Sequence, residues 1–101
     1  MTSVVIKESE QHVTLCLPAK LDNNLQMEFQ HCYRNRPSGP GISYEIDFQE
    51  VHNIDSSVLG MLLLMRNYCG EEEADIQLIN CSPIVKKILH MTRFNTMFRI
   101  G

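Results

Sequence analysis

Two adjacent serines follow an acidic residue near the middle of the chain, at Asp55, Ser56 and Ser57. They stand where a β-strand pattern gives way to a helical one, and the first backbone N–H groups of a helix have no partner within that helix. Asp and Ser are both good N-cap residues, so simple capping of a buried helix is one interpretation. No Glu or Gln lies three residues after either serine, so the capping box is absent and capping alone explains the pair of serines less well.

The alternative interpretation of the same residues is a phosphorylation site. A phosphate on Ser56 would add about −1.5 to −2 charges at neutral pH beside Asp55. The N-terminus of a helix favours an anion, because its dipole is positive there and its first N–H groups are free. Phosphorylation should therefore leave the domain folded and act mainly at an interface with a partner.

Enzymatic arrangements fit the sequence poorly. A triad of His52, Asp55 and Ser56 would require three near neighbours to converge across a strand-to-helix turn, and Ser56 lacks the GxSxG frame of a hydrolase nucleophile. The four histidines show no metal-ligand spacing, the four cysteines show no CxxC pair, and no Gly-rich loop is followed by Lys-Ser or Lys-Thr. We expect no catalysis, no metal and no cofactor, and partly buried, reduced thiols.

Composition narrows the class of protein further. The 101 residues are 44% hydrophobic and 21% charged, as in an ordinary globular domain, and are too few for two cores, so we expect one domain over residues 1–101. A net charge of −3 with scattered Lys and Arg argues against nucleic-acid binding. No apolar run is long enough to span a bilayer and no signal peptide is evident, so the prediction is a cytoplasmic protein with protein partners.

The elements that must position the serines follow from hydrophobic periodicity. Alternating apolar residues and turn signals predict the order β-β-α-β-α-β-α-β, an α/β fold with a mixed sheet. The predicted strands fall near residues 4–7, 13–17, 42–48, 76–79 and within 94–100, and the predicted helices run from Leu25 to Arg36, from Ser56 to about Tyr68, and from Pro83 after an N-cap at Ser82.

The helix after Ser56 carries more apolar residues than one core-facing side requires. We therefore predict that part of it is a docking surface, with Met61 and Met65 as an adaptable patch and Val58 and Leu62 beside them. The alternative, left open at this point, is a helix packed entirely into the core.

These features together resemble the STAS domain of anti-sigma-factor antagonists and sulfate-transporter tails. The resemblance is carried by the opening hairpin, by Asp22 before the first helix, by Ile-Asp-Ser-Ser followed two residues later by Leu-Gly, and by Leu-Ile-Asn-Cys-Ser before the third helix. It implies a STAS-like sheet covered by helices, here with the C-terminal helix of many relatives short or absent.

The resemblance also implies a function by partner switching. The first serine after the Asp is the family's phosphorylation site, which falls on Ser56, with Asp22, Asp55 and Ser57 in support. The partners implied are an anti-sigma factor that doubles as a serine kinase and a serine phosphatase, in some circuits part of a response regulator controlling biofilm or motility. Such a protein is expected to be a monomer or weak dimer. A second interpretation is a permanent STAS adaptor of a transporter ATPase complex, without a phospho-switch.

Overall fold

A computed structural model describes residues 4–21, 24–36 and 41–101, and their order of elements is the predicted one. The elements are β1 (Val5–Glu8), β2 (His12–Cys16), α1 (Leu25–Arg34), β3 (Ser43–Asp47), α2 (Ser56–Tyr68), β4 (Asp75–Ile79), α3 (Pro83–Met91) and β5 (Arg99–Ile100), with short 3₁₀ turns at Glu71–Glu73 and Phe94–Thr96. The strands form a single sheet in the order β1-β2-β3-β4-β5. β1 is antiparallel to β2 and the remaining pairs are parallel, which confirms the predicted mixed sheet.

The register of the sheet concentrates its apolar side chains on one face. Leu15 of β2 lies opposite Ile46 of β3, which lies opposite Leu78 of β4, and all three are fully buried. Parallel strands joined in sequence by right-handed crossovers carry their connecting helices on the same face. The three helices therefore cover the Leu15 face, and the residues between, such as Thr14 and Glu45, are only partly buried on the other face.

Local signals account for the start of α3 and for the short last strand. The Ser82 hydroxyl accepts a hydrogen bond from the Val85 amide at 3.2 Å, and Pro83 occupies the first turn, as predicted. The strand predicted within residues 94–100 is confined to its last two residues. Phe94 and Phe98 are both buried, and their stacked rings have centroids 5.7 Å apart. The chain reaches this packing through a 3₁₀ turn that begins at Phe94 rather than through an extended segment.

Three of the four cysteines, Cys32, Cys69 and Cys81, are buried free thiols, and Cys16 is half-buried. Burial raises the pKa of the Cys69 thiol to about 11, and burial likewise raises the pKa of Cys81 to about 11. At pH 8 only about one in a thousand of these two thiols would be ionised, and the thiolate is the reactive form.

We expect a disulfide reagent at pH 8 to modify one thiol of the native protein quickly and the other three only as the protein unfolds. The fast thiol should be Cys16, so Cys16→Ser should abolish the fast phase and leave three thiols reactive in guanidinium. Fast reaction of Cys69 in the native state would contradict its burial.

Candidate functional site

Buried apolar residues anchor the predicted strand-to-helix junction in the core. Val51 and Ile54 lie in the core between β3 and α2, which fixes the path of the connecting segment. Asp55 has an extended backbone and its Oδ1 accepts hydrogen bonds from the amides of Ser57 at 3.0 Å and Val58 at 3.2 Å. Asp55 is therefore the N-cap of α2, and its carboxylate occupies two of the amides that the helix leaves free.

Ser56 is the first residue of α2 and its side chain is exposed. In the part of the chain that the structure describes, the side-chain hydrogen bonds of this junction run to Asp55 and, from the Ile54 amide, to Asn53 Oδ1, and none runs to the Ser56 hydroxyl. Because Asp55 already caps the helix, Ser56 is not needed as a cap. The hydroxyl is thus open to a modifying enzyme.

The capping geometry changes the electrostatics expected for a phosphate at Ser56. Two amides that could have donated hydrogen bonds to the phosphate already donate to the Asp55 carboxylate. A phosphoryl group would therefore point to solvent beside a second anion, with the helix dipole as its main compensation. A charge added at Ser56 would therefore lie on the protein surface, where a bound partner would contact it.

A shallow cleft of about 230 Å³ lies beside the junction, between α1 and the start of α2. Its lining includes Leu25 and Gln26 of α1, and Asp55 and Ser57 at the start of α2. Asp22, which the resemblance places near Ser56, lies outside the described residues. Its expected contact with Ser56 stays a prediction.

The four residues predicted to bind a partner do not lie on the surface. Val58, Met61, Leu62 and Met65 are all buried against the sheet, so the prediction that they form a docking patch is wrong. Their spacing of three and four residues marks the core-facing side of α2, a signal that was present in the sequence. The exposed apolar residues of α2 are instead Leu63, Leu64 and Tyr68, which the docking prediction omitted.

Groupings typical of other functions are not found in the described ranges. No three His, Cys, Asp or Glu side chains gather there closely enough to hold a metal ion. Among the same residues, none of the helices is long and apolar enough to cross a membrane. The Asp55 carboxylate is engaged by backbone amides rather than by His52, so the three residues do not form a hydrogen-bonded triad in this structure.

Removing the N-cap of α2 should measurably destabilise the protein. We expect Asp55→Ala to lower the free energy of unfolding by about 1 kcal/mol, because two amides lose their acceptor. Asp55→Asn keeps a side-chain oxygen and should cost less than half as much. Urea unfolding of the two variants checks this, and equal losses would show that the carboxylate charge, not the capping bond, stabilises the helix.

Fold and site together define a class of protein: a small α/β domain with helices on one face of a mixed sheet and an exposed hydroxyl at the start of its central helix. The family model described as "Mlab, STAS domain" matches residues 4–99. The chain belongs to the STAS family, which confirms the resemblance read from the sequence.

Individual relatives agree with that assignment. A STAS-domain containing protein of Pseudomonas aeruginosa (strain UCBPP-PA14) is 38% identical over 91 residues, covering 90% of this chain and 89% of that protein. An anti-sigma-factor antagonist (STAS) domain protein from Planctomyces limnophilus is similar in fold, with a TM-score of 0.81, 17% identity, and coverage of 100% of this chain and 90% of that one. The anti-sigma-factor antagonist SpoIIAA in its unphosphorylated form has a TM-score of 0.76 at 15% identity, covering 97% and 87%. The fold is that of anti-sigma-factor antagonists.

Proposed function

We propose that this protein is a phosphorylation-controlled anti-sigma-factor antagonist in a bacterial partner-switching pathway. In its unphosphorylated form it binds an anti-sigma factor, or a related regulator, and a phosphate on Ser56 releases that partner. The observation that carries the proposal is the exposed Ser56 hydroxyl at the start of a helix that Asp55 already caps. Similarity in fold to anti-sigma-factor antagonists supports it.

The exposed side of α2 suits a partner that senses this serine. Residues seven apart on a helix lie almost directly above one another, which places Leu63 two turns above Ser56 on the outward side. Leu63 is 41% exposed, so an apolar contact is available next to the modified position. A partner seated on this side would cover Ser56 and would be displaced by a charged group there.

The pathway in this proposal has two further components. A serine kinase, which in such pathways is often the anti-sigma factor itself, transfers the phosphate, and a serine phosphatase, in some circuits within a response regulator, removes it. We expect phosphorylation and dephosphorylation to take place in the cytoplasm. We expect the pathway to control biofilm formation or motility.

The experiment that tests the switch is intact-mass spectrometry after incubation with ATP and the candidate anti-sigma factor of the source organism. Wild type and Ser57→Ala should each gain one phosphate, and Ser56→Ala should gain none. If no variant gains phosphate while wild type still binds a partner, the result would favour a permanent adaptor, such as a STAS subunit of a transporter ATPase, over the switch.

A further inference from the structure

Strand β1 forms one edge of the sheet and is hydrogen-bonded to β2 alone. Just after the strand, the Ser9 amide donates to the His12 carbonyl at 2.8 Å. Hydrogen-bonded pairs alternate with non-bonded pairs along an antiparallel ladder, so Lys7 also bonds β2 through its backbone. The N–H and C=O groups of Ile6 and Glu8 therefore point outward, away from the sheet.

A separate hydrogen bond supports the same orientation of β1. The Val4 amide, which precedes Ile6 by two residues, donates to the Glu28 carboxylate of α1 at 2.8 Å rather than to β2. Among the described residues, no hydrogen bond reaches the outward groups of Ile6 and Glu8. The edge thus keeps open the donors and acceptors that a further strand requires.

A groove of about 520 Å³ runs along this edge, between β1 and α1, and its lining includes Ile6, Met27 and Cys32. We call β1 together with this groove the β1 edge. Met27 is 68% exposed on the helix side of the sheet, and Val5 is 55% exposed on the uncovered side. A strand added to β1 from a second domain would cover apolar surface on both sides of the sheet.

The backbone groups of β1 are complementary to those of a second copy. With a twofold axis at Ile6, the Ile6 amide of each copy meets the Ile6 carbonyl of the other. The Glu8 amide of each copy then meets the Val4 carbonyl of the other, while the Val4 amide keeps its bond to Glu28. Open groups are thereby satisfied without breaking a contact of the single chain.

The side chains favour this register over its neighbours. An axis at Lys7 or at Glu8 would set like charges directly opposite each other, which destabilises a pair of strands. An axis at Val4 or Val5 would place the Val4 amide, which Glu28 already holds, near the centre of the pair. With the axis at Ile6, Val5 lies opposite Lys7 of the other copy, whose aliphatic stem can cover it.

We propose that two copies of this chain associate through the β1 edge, antiparallel about Ile6, so that their sheets become one continuous sheet. Each Met27 then packs toward α1 of the other copy. A single short strand and one helix flank make a small interface, of the class below about 1,200 Å² that associates weakly, so monomer and dimer exchange with concentration. The β1 edge contains no residue of α2, and the inference does not depend on the proposed function.

Sedimentation equilibrium of the full chain in reducing buffer, over a wide range of concentration, tests the association. Amide hydrogen exchange followed by NMR locates it. The Ile6 and Glu8 amides should become protected as the concentration rises, whereas the Lys7 amide, already bonded to β2, should stay protected throughout. A chain that is monomeric at every concentration, or a dimer that leaves the Ile6 and Glu8 amides unprotected, would overturn the proposal.

Charge variants at the exposed Val5 position test the register. Val5→Lys should raise the dimer Kd about tenfold, because it sets two lysines opposite each other at two symmetric places. Val5→Glu should lower the Kd about fivefold by pairing with Lys7. The double variant Val5→Lys with Lys7→Glu should return the Kd to within about threefold of wild type. If Val5→Lys and Val5→Glu change the Kd in the same direction, the register is wrong.

Two exposed methionines provide a matched comparison for the helix side. Met27→Gln should raise the dimer Kd about fivefold, whereas Met91→Gln, at a residue 73% exposed on α3, should leave it within about twofold. Equal effects would place the interface elsewhere. A chain that stays monomeric, but whose Ile6 and Glu8 amides become protected when the candidate anti-sigma factor is added, would assign the β1 edge to that protein and overturn the second copy.

Discussion

Ser56→Asp should weaken binding to the anti-sigma factor by about a hundredfold or more. The substitution places a permanent negative charge at the first residue of α2, beside the Asp55 carboxylate, on the outward side of the helix. Like charge or lost desolvation at an interface costs several kcal/mol, and about 2.8 kcal/mol already corresponds to a hundredfold change in Kd. Isothermal titration with the purified anti-sigma factor measures it.

Ser57→Asp is the matched control for this effect. It adds the same charge one residue away, but Ser57 lines the cleft on the α1 side of the helix rather than the side that carries Leu63. We expect a change in Kd of less than about fivefold for this variant, because a charge at the interface rim has a small effect. If the two variants weaken binding equally, net charge rather than position controls the partner, and the proposed switch at Ser56 is wrong.

The fold should tolerate the charge at Ser56. An acidic residue in the first turn of a helix interacts favourably with the helix dipole, so the unfolding midpoint of Ser56→Asp should stay close to that of wild type. Circular dichroism on thermal unfolding checks this. A large drop in the midpoint would mean that lost binding reflects lost structure.

Leu62→Ala should be the most destabilising of the truncations considered on α2, with a loss of about 3 kcal/mol in the free energy of unfolding. Leu62 is fully buried on the core-facing side of α2. Removing its side-chain carbons loses the free energy of their burial and leaves a cavity. Since small domains are stable by only about 5–15 kcal/mol, the loss would be a large fraction of the total.

The neighbouring residue provides the comparison. Leu63 is 41% exposed, so Leu63→Ala should cost less than about 1 kcal/mol in stability, measured by urea unfolding under the same conditions. The pair also separates the two uses of this helix, because Leu62→Ala should lower stability and Leu63→Ala should lower partner affinity. Similar stability losses in both would contradict the orientation of α2.

Much of the architecture could be predicted from local patterns. Alternation of apolar and polar residues marked β3, and the Ser82-Pro83 pair marked the start of α3, because these signals act within a few residues of one another. The strand-to-helix junction was predicted at the residue where α2 begins, Ser56, since a change of hydrophobic period and a capping residue coincide there.

The sequence by itself determined the order of the elements, the family and the serine at the head of α2. Only the tertiary structure decided which side of α2 is covered. Eight apolar residues, Tyr68 included, are distributed around that helix. Which of them face the core depends on the sheet and the helices that pack against it, through contacts distant in sequence. Packing put Leu62 and Met65 inside and left Leu63 exposed, two turns above Ser56 on the same helix.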